Sequence, residues 1–175
     1  TRRNRFLTGL FTMLSSRQIF AVIAAMLLTS GSFAAGGKTD YPASNIDPDN
    51  IQSLQRGARN FMNYCSGCHS AEYVRYNTIG KHLELSEQQL IDNLMFNAEK
   101  TFETIKVNMP MDKAETWFGA APPDLSLTAR AKSADYIYNF LKGFYIDEDQ
   151  PSGVNNRWLA GTSMPHVLGN LQGYQ

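Results

Sequence analysis

The chain has 175 residues, 43% of them hydrophobic and 11% aromatic, enough for one compact domain with a real core and too few for a second full domain. Its formal net charge is zero, but Arg2, Arg3, Arg5 and Arg17 all fall in the first 34 residues, where there is no acid; the remainder keeps 12 of the 16 basic residues against all 16 acidic ones. That balance argues against nucleic acid and for a basic partner if a charged one is used, while two cysteines are too few for a disulfide scaffold or a four-cysteine metal site.

In chain order, Ile19 to Leu28 is an unbroken apolar run behind Arg17, followed by Ser32-Phe33-Ala34 with small side chains at the positions a signal peptidase inspects. Residues 1–34 therefore read as a secretory signal peptide or leader, cut near Ala34/Ala35, because the run is too short for the ~20 apolar residues that cross a bilayer. Residues 35–175 are then the folded domain. Gly36 to Asn50 is rich in Gly, Pro, Asp and Asn and reads as an extended strap. From Asp49 the pattern turns helical through Ile51, Leu54, Ala58, Phe61 and Cys65, with Asp47 or Asp49 as the expected cap. Ser86 and Gln89 fit a capping box ahead of Leu90, Ile91, Leu94 and Met95. Asn108 to Pro123, with three prolines and Gly119, is expected to be loop. Ser133 can cap a further helix with the apolar face Tyr136, Ile137, Phe140, Leu141 and Phe144, and with Gly143 near its end. The stretch from Asp147 to Ser163 is expected to be surface loop, and the whole is mainly α.

The chemistry concentrates in Cys65-Ser-Gly-Cys68-His69 at the end of the first helix. Two thiols one turn apart can add across the two vinyl groups of a haem, and an imidazole directly after them can reach the iron from the same side. A thioredoxin-like redox pair would need a βαβ context that is missing. Zinc would need further ligands, and only His82 and His166 remain as imidazoles. One covalent haem c, with His69 as an axial iron ligand, is thus the expected cofactor. A thioether is the usual partner of His in electron-transfer haems. Met13 and Met26 leave with the leader, Met62 is on the cysteine helix and Met95 is on a core-facing helix, so Met109, Met111 and Met164 remain as candidates. Met109 and Met164 each precede a proline, and spacing leaves these two evenly placed.

Three segments carry a resemblance: LQRGARNFMNYCSGCHSAEYVRY (54–76), APPDLSLTARAKSADYIYNFLKGFY (121–145) and GTSMPHVLGNLQG (161–173). They look like cytochrome c1, the haem subunit of the quinol–cytochrome c oxidoreductase (cytochrome bc1 complex), of a proteobacterial type. The resemblance implies a class I cytochrome c-like domain whose long loops wrap the haem, with Met164 as the second axial ligand. It further implies Arg130 at a haem propionate, Pro122 and Pro123 lining the haem crevice, and Tyr136 packed beside it. The implied partners are cytochrome b, the Rieske iron–sulfur protein as electron donor and a soluble cytochrome c as acceptor, at the periplasmic face of the inner membrane. Cytochromes c1 end in a membrane-spanning helix, and the sequence up to Gln175 has no such run, so the resemblance places the anchor beyond this chain. A free periplasmic cytochrome c is the nearest rival, and a haem-free thiol–disulfide or metal-binding module the more distant one.

Overall fold

A computed structural model describes residues 41–174; the expected leader, its cleavage site and the start of the strap lie outside them. The described residues are mainly helical, with two short antiparallel strand pairs. Among them no helix is long and apolar enough to cross a membrane.

Helix α1 (Ile51–Asn60) is capped by Asn50, whose side chain accepts from the Ser53 N–H at 3.0 Å. Neither expected aspartate takes that place. Asp47-Pro48 instead opens a turn in which the Asn50 N–H reaches the Asp47 carbonyl, and the Asp47 carboxylate accepts from the Asp49 N–H. The cap therefore falls one residue later. Helix α1 runs on into a π-helical turn, Phe61–Cys65, where the Ser66 N–H bonds back five residues to Phe61. The Met62 carbonyl left over accepts from the Ser66 hydroxyl at 2.8 Å, so the wide turn leaves no buried acceptor empty.

Strand β1 (Ala71–Arg75) follows the cysteine turn and pairs irregularly with β2 (Thr104–Ile105). Between them lie α2 (Tyr76–His82) and α3 (Glu87–Leu94), the latter with the full Ser86/Gln89 capping box. Gly80 allows α2 and α3 to approach, since a Cβ there would stand 3.0 Å from Leu90. Met62, Ala71, Tyr76, Leu90, Leu94, Met95 and Ile105 form the core on this side, which gives Met62 and Met95 the packing role expected of them.

Two expectations of loop are corrected. Met111–Phe118 is a helix, α4, because Pro110 begins it, with its carbonyl accepting from the Lys113 and Ala114 N–H groups, and Gly119 closes it in the left-handed conformation at φ 74°. The breakers mark the ends of a helix; they do not dissolve it. After α5 (Thr128–Lys132) and α6 (Ala134–Lys142), the expected surface loop contains a hairpin of β3 (Phe144–Ile146) and β4 (Val154–Asn156). Asp147 sits inside its turn, accepting from the Asn155 side chain at 2.9 Å and the Asp149 N–H at 3.2 Å. Asn156 donates to the Phe140 carbonyl and accepts from the Trp158 N–H, and Asn155 accepts from the Gly161 N–H. These amides fix the path of the chain toward residue 164. A last short helix, α7 (Gly169–Gln172), is tied to α6 by the Gln172 side chain on the Leu141 carbonyl.

Ser133 caps α6 as expected, accepting from the Tyr136 N–H. Residues 41–46 form no helix or strand and are tied to that helix: the Ser44 N–H and hydroxyl both donate to Asp135, at 2.8 and 2.6 Å, and Asn139 donates to the Pro42 carbonyl. The Tyr41 ring meets Tyr136 and Trp158 edge-on. The two Ser44 bonds hold the Asp135 carboxyl below its ordinary value. A depressed folded pKa means that this tie is fully present above the unfolded aspartate value near ~3.9 and fades as pH falls through the folded one. Asp135→Ala is accordingly expected to speed limited proteolysis of 41–46 several-fold at pH 7, whereas the parent chain loses protection only below about pH 4. Equal cleavage of the two at pH 7 would show that Asn139 and the aromatic contacts suffice.

Candidate functional site

The π-helical turn delivers Cys65 to the wall of a cavity of about 970 Å³, together with Phe61, Tyr64, Cys68 and His69. The Cys68 and His69 N–H groups both bond to the Cys65 carbonyl, at 3.1 and 2.9 Å, which curls the motif so that all three side chains line one space. Both cysteines are free thiols and half-buried. Burial, then the neighbouring Cys68, pushes the Cys65 thiol above its ordinary value. A thiol–disulfide catalyst needs the opposite shift, since the thiolate is its nucleophile.

His69 Nδ1 lies 2.7 Å from the Pro123 carbonyl oxygen. A carbonyl can only accept, so the proton is on Nδ1 and the lone pair is left on Nε2, the tautomer a metal-ligating histidine requires. Other walls are built by the 118–132 segment and by α6, where Tyr136, Ile137, Phe140 and Leu141 of the predicted face line the cavity, while Phe144, the fifth residue of that face, lies past Gly143 in β3 and outside the lining. The hairpin amides lead residues 159–167 onto the same space, including Met164.

The structure thus brings Cys65, Cys68, His69, Pro122, Pro123, Tyr136 and Met164 together around one cavity. Met109 and Met111 are not among its lining residues, and Met111 is 45% exposed on α4. Arg130 is exposed on α5 and outside the lining; its neighbours Thr128, Ala129, Ala131 and Lys132 are inside it. Lys132, which sequence reasoning passed over, lies 5.7 Å from the Tyr136 ring and is the lysine of the lining. Its signal lies within α5: it is four residues from Thr128, a cavity residue, whereas Arg130 is two from Thr128 and falls off that face.

These features fit a haem. The volume stands at the top of the ~300–1,000 Å³ range of cofactor sites, and the walls are mostly apolar and aromatic. Two free thiols, an imidazole with Nε2 unprotonated and a thioether share the space, and one ammonium is present for carboxylates.

Comparison with known proteins agrees. The model of the cytochrome C1 family matches residues 44–171. The chain is 45% identical over 159 residues to cytochrome c1 of Allochromatium vinosum, covering 91% of this chain and 65% of that protein. It is 38% identical over 158 residues to a protein of Nitrosomonas europaea named ammonia monooxygenase gamma subunit, covering 89% and 66%. It is 33% identical over 116 residues to cytochrome c1 of Rhodospirillum rubrum, covering 54% and 41%. The chain spans about two thirds of the length of the first two.

Proposed function

The chain belongs to the cytochrome c1 family, whose members carry a covalent haem c, and from that membership we propose that it is the electron-transfer haem subunit of a cytochrome bc1 complex. In this reading it is a class I cytochrome c domain on the periplasmic face of a bacterial inner membrane, exported by its leader and anchored by a helix beyond Gln175. It stands against cytochrome b, receives electrons from the Rieske iron–sulfur protein and passes them to a soluble cytochrome c. The observation that carries the reading is the convergence of Cys65, Cys68, His69 and Met164 on one apolar cavity.

When bound, the haem supplies an iron that accepts and gives up one electron at a time. The protein residues hold and tune it. Cys65 and Cys68 would tether it through thioethers, and His69 and Met164 would hold its iron. The Pro123 carbonyl orients the imidazole and raises its basicity. Pro122, Pro123, Tyr136 and Phe140 exclude water from the cavity, which lowers the cost of reorganisation when the charge changes. Lys132, on the cavity lining, would offer a cation to a propionate, whereas Arg130, exposed on α5 outside the lining, would meet one only beyond the edge of the cavity. An alkaline pyridine haemochrome of the purified protein, followed by its oxidation with a soluble cytochrome c, tests the reading; an absent haemochrome would overturn it.

The hairpin tip offers a place for the acceptor. Glu148 and Asp149 are exposed there, whereas Asp147 is held by Asn155. Glu148→Gln with Asp149→Asn, leaving Asp147 to keep the turn, is expected to slow oxidation by a basic cytochrome c several-fold at low salt and to flatten the salt dependence. Near physiological strength, where the Debye length is ~8 Å, the two proteins should converge. Stopped-flow rates at a series of ionic strengths give the answer, and identical slopes would place docking elsewhere.

A further inference from the structure

Asp124 joins two chain segments, the start of β1 and the stretch after Pro123, that each adjoin one partner of the His69–Pro123 bond. One carboxylate oxygen accepts from the Ser70 hydroxyl at 2.7 Å and the Glu72 N–H at 2.8 Å, and the other from the Ser126 N–H at 2.9 Å. The Ser126 hydroxyl in turn accepts from the Tyr73 N–H at 3.0 Å, and the Leu125 N–H donates to the Ser70 carbonyl at 2.9 Å. Residues 70–73 follow directly on His69, and residues 124–126 follow directly on Pro123. The lashing therefore spans the two chain segments whose separation sets the 2.7 Å distance between His69 Nδ1 and the Pro123 carbonyl. Residues 124–126 belong to no helix or strand, and β1 is paired only with the two-residue β2 and with a shift of register.

Resting on the haem reading above, we propose that Asp124 is the positioning residue of His69: by clamping the start of β1 to the segment after Pro123 it holds the Pro123 carbonyl on Nδ1–H, and so keeps Nε2 as the nitrogen offered to the iron. The carboxylate is built for this. Burial pushes its pKa up, but the bonds from Ser126, Ser70 and Glu72 outweigh it and hold the carboxyl well below the usual carboxylate range, so it accepts as an anion throughout the neutral range. Charged acceptors make the stronger hydrogen bonds, and three converge here.

A carboxylate beside the cavity also acts by charge alone, and the test separates the two effects. In reduced holoprotein labelled with ¹⁵N-histidine, solvent exchange of the His69 Nδ1 proton reports the bond directly, and the reduction potential reports charge. Asp124→Ala removes the charge and all three acceptor bonds. Asp124→Asn removes the same charge but keeps an oxygen for Ser70 and Glu72. Ser70→Ala keeps the charge and removes one bond. Positioning requires exchange to quicken about tenfold or more in Asp124→Ala, and by progressively less in Asp124→Asn and Ser70→Ala. Should Asp124→Ala fail to fold, the other two variants still decide. Equal potential shifts in the two Asp124 variants with unchanged exchange would reduce Asp124 to a charge and overturn the proposal. A parent protein lacking the pyridine haemochrome would overturn the haem reading and this proposal with it, whereas a full haemochrome with unchanged exchange overturns the proposal alone.

Discussion

Replacing both Cys65 and Cys68 by serine is expected to abolish covalent haem retention: the double variant should show no haem travelling with the polypeptide on a denaturing gel, where the parent chain shows one band. The two thiols are the only cysteines in the sequence, so no other side chain can form a thioether. Serine keeps the size and the turn, because the bonds that curl the motif are made by backbone, from Cys68 and His69 to the Cys65 carbonyl. The loss would then be chemical, not conformational. The single variants should each keep one thioether and a shifted haemochrome band. The fold itself should also suffer. A ligand that binds only the native state stabilises it, and a tethered one does so at high effective concentration. Without the tether, a cavity of about 970 Å³ walled by aromatic and apolar side chains is left to a reversible occupant. The double variant is expected to melt at a lower temperature than the parent, and haem that still ran with the denatured double variant would sink the attachment reading.

What the sequence made legible follows from the range over which each signal acts. Cys65-Ser-Gly-Cys68-His69, the Ser86/Gln89 box and the Ser133 cap are complete within a few residues, and the structure contains each of them. The apolar face of α6 was legible as a face, but not as the wall of a cavity, since periodicity reports that a side is buried and not against what. Helix α4 was hidden because Pro110 and Gly119 count as breakers when tallied, yet eight residues between a proline start and a glycine stop make a helix. The β3–β4 hairpin was hidden for another reason: three-residue strands are too short to show alternation, and the asparagines of Val154-Asn155-Asn156 resemble loop until their amides are seen bonding Phe140, Trp158 and Gly161. Lys132 was hidden because α5 is only five residues long, too short for its sequence to show which of Arg130 and Lys132 faces the cavity until Thr128 is placed there.

The second large effect concerns the other axial position. Met164→Leu is expected to abolish the sulfur-to-iron charge-transfer band of the oxidised protein and to lower the reduction potential by on the order of 0.1 V or more, within the ~0.8 V that axial ligands span. A thioether favours the ferrous state, and its loss removes that preference. Leucine conserves the volume of methionine to within a cost below ~1.5 kcal/mol, so the cavity wall and the fold should survive the change. Residue identity and spacing alone left Met109 and Met164 level, and the resemblance chose Met164. The arrangement of the chain adds independent grounds. Met164 is half-buried on the cavity wall, followed by Pro165 and preceded by a segment anchored through Asn155 to the hairpin. Met109 lies outside the lining, just ahead of the proline that starts α4, and Met111 is exposed on that helix, also outside the lining. Met109→Leu and Met111→Leu should therefore leave both band and potential in place. A band lost in Met109→Leu and kept in Met164→Leu would mean that the 159–167 segment only closes the cavity, with the ligand coming from the Pro110 turn.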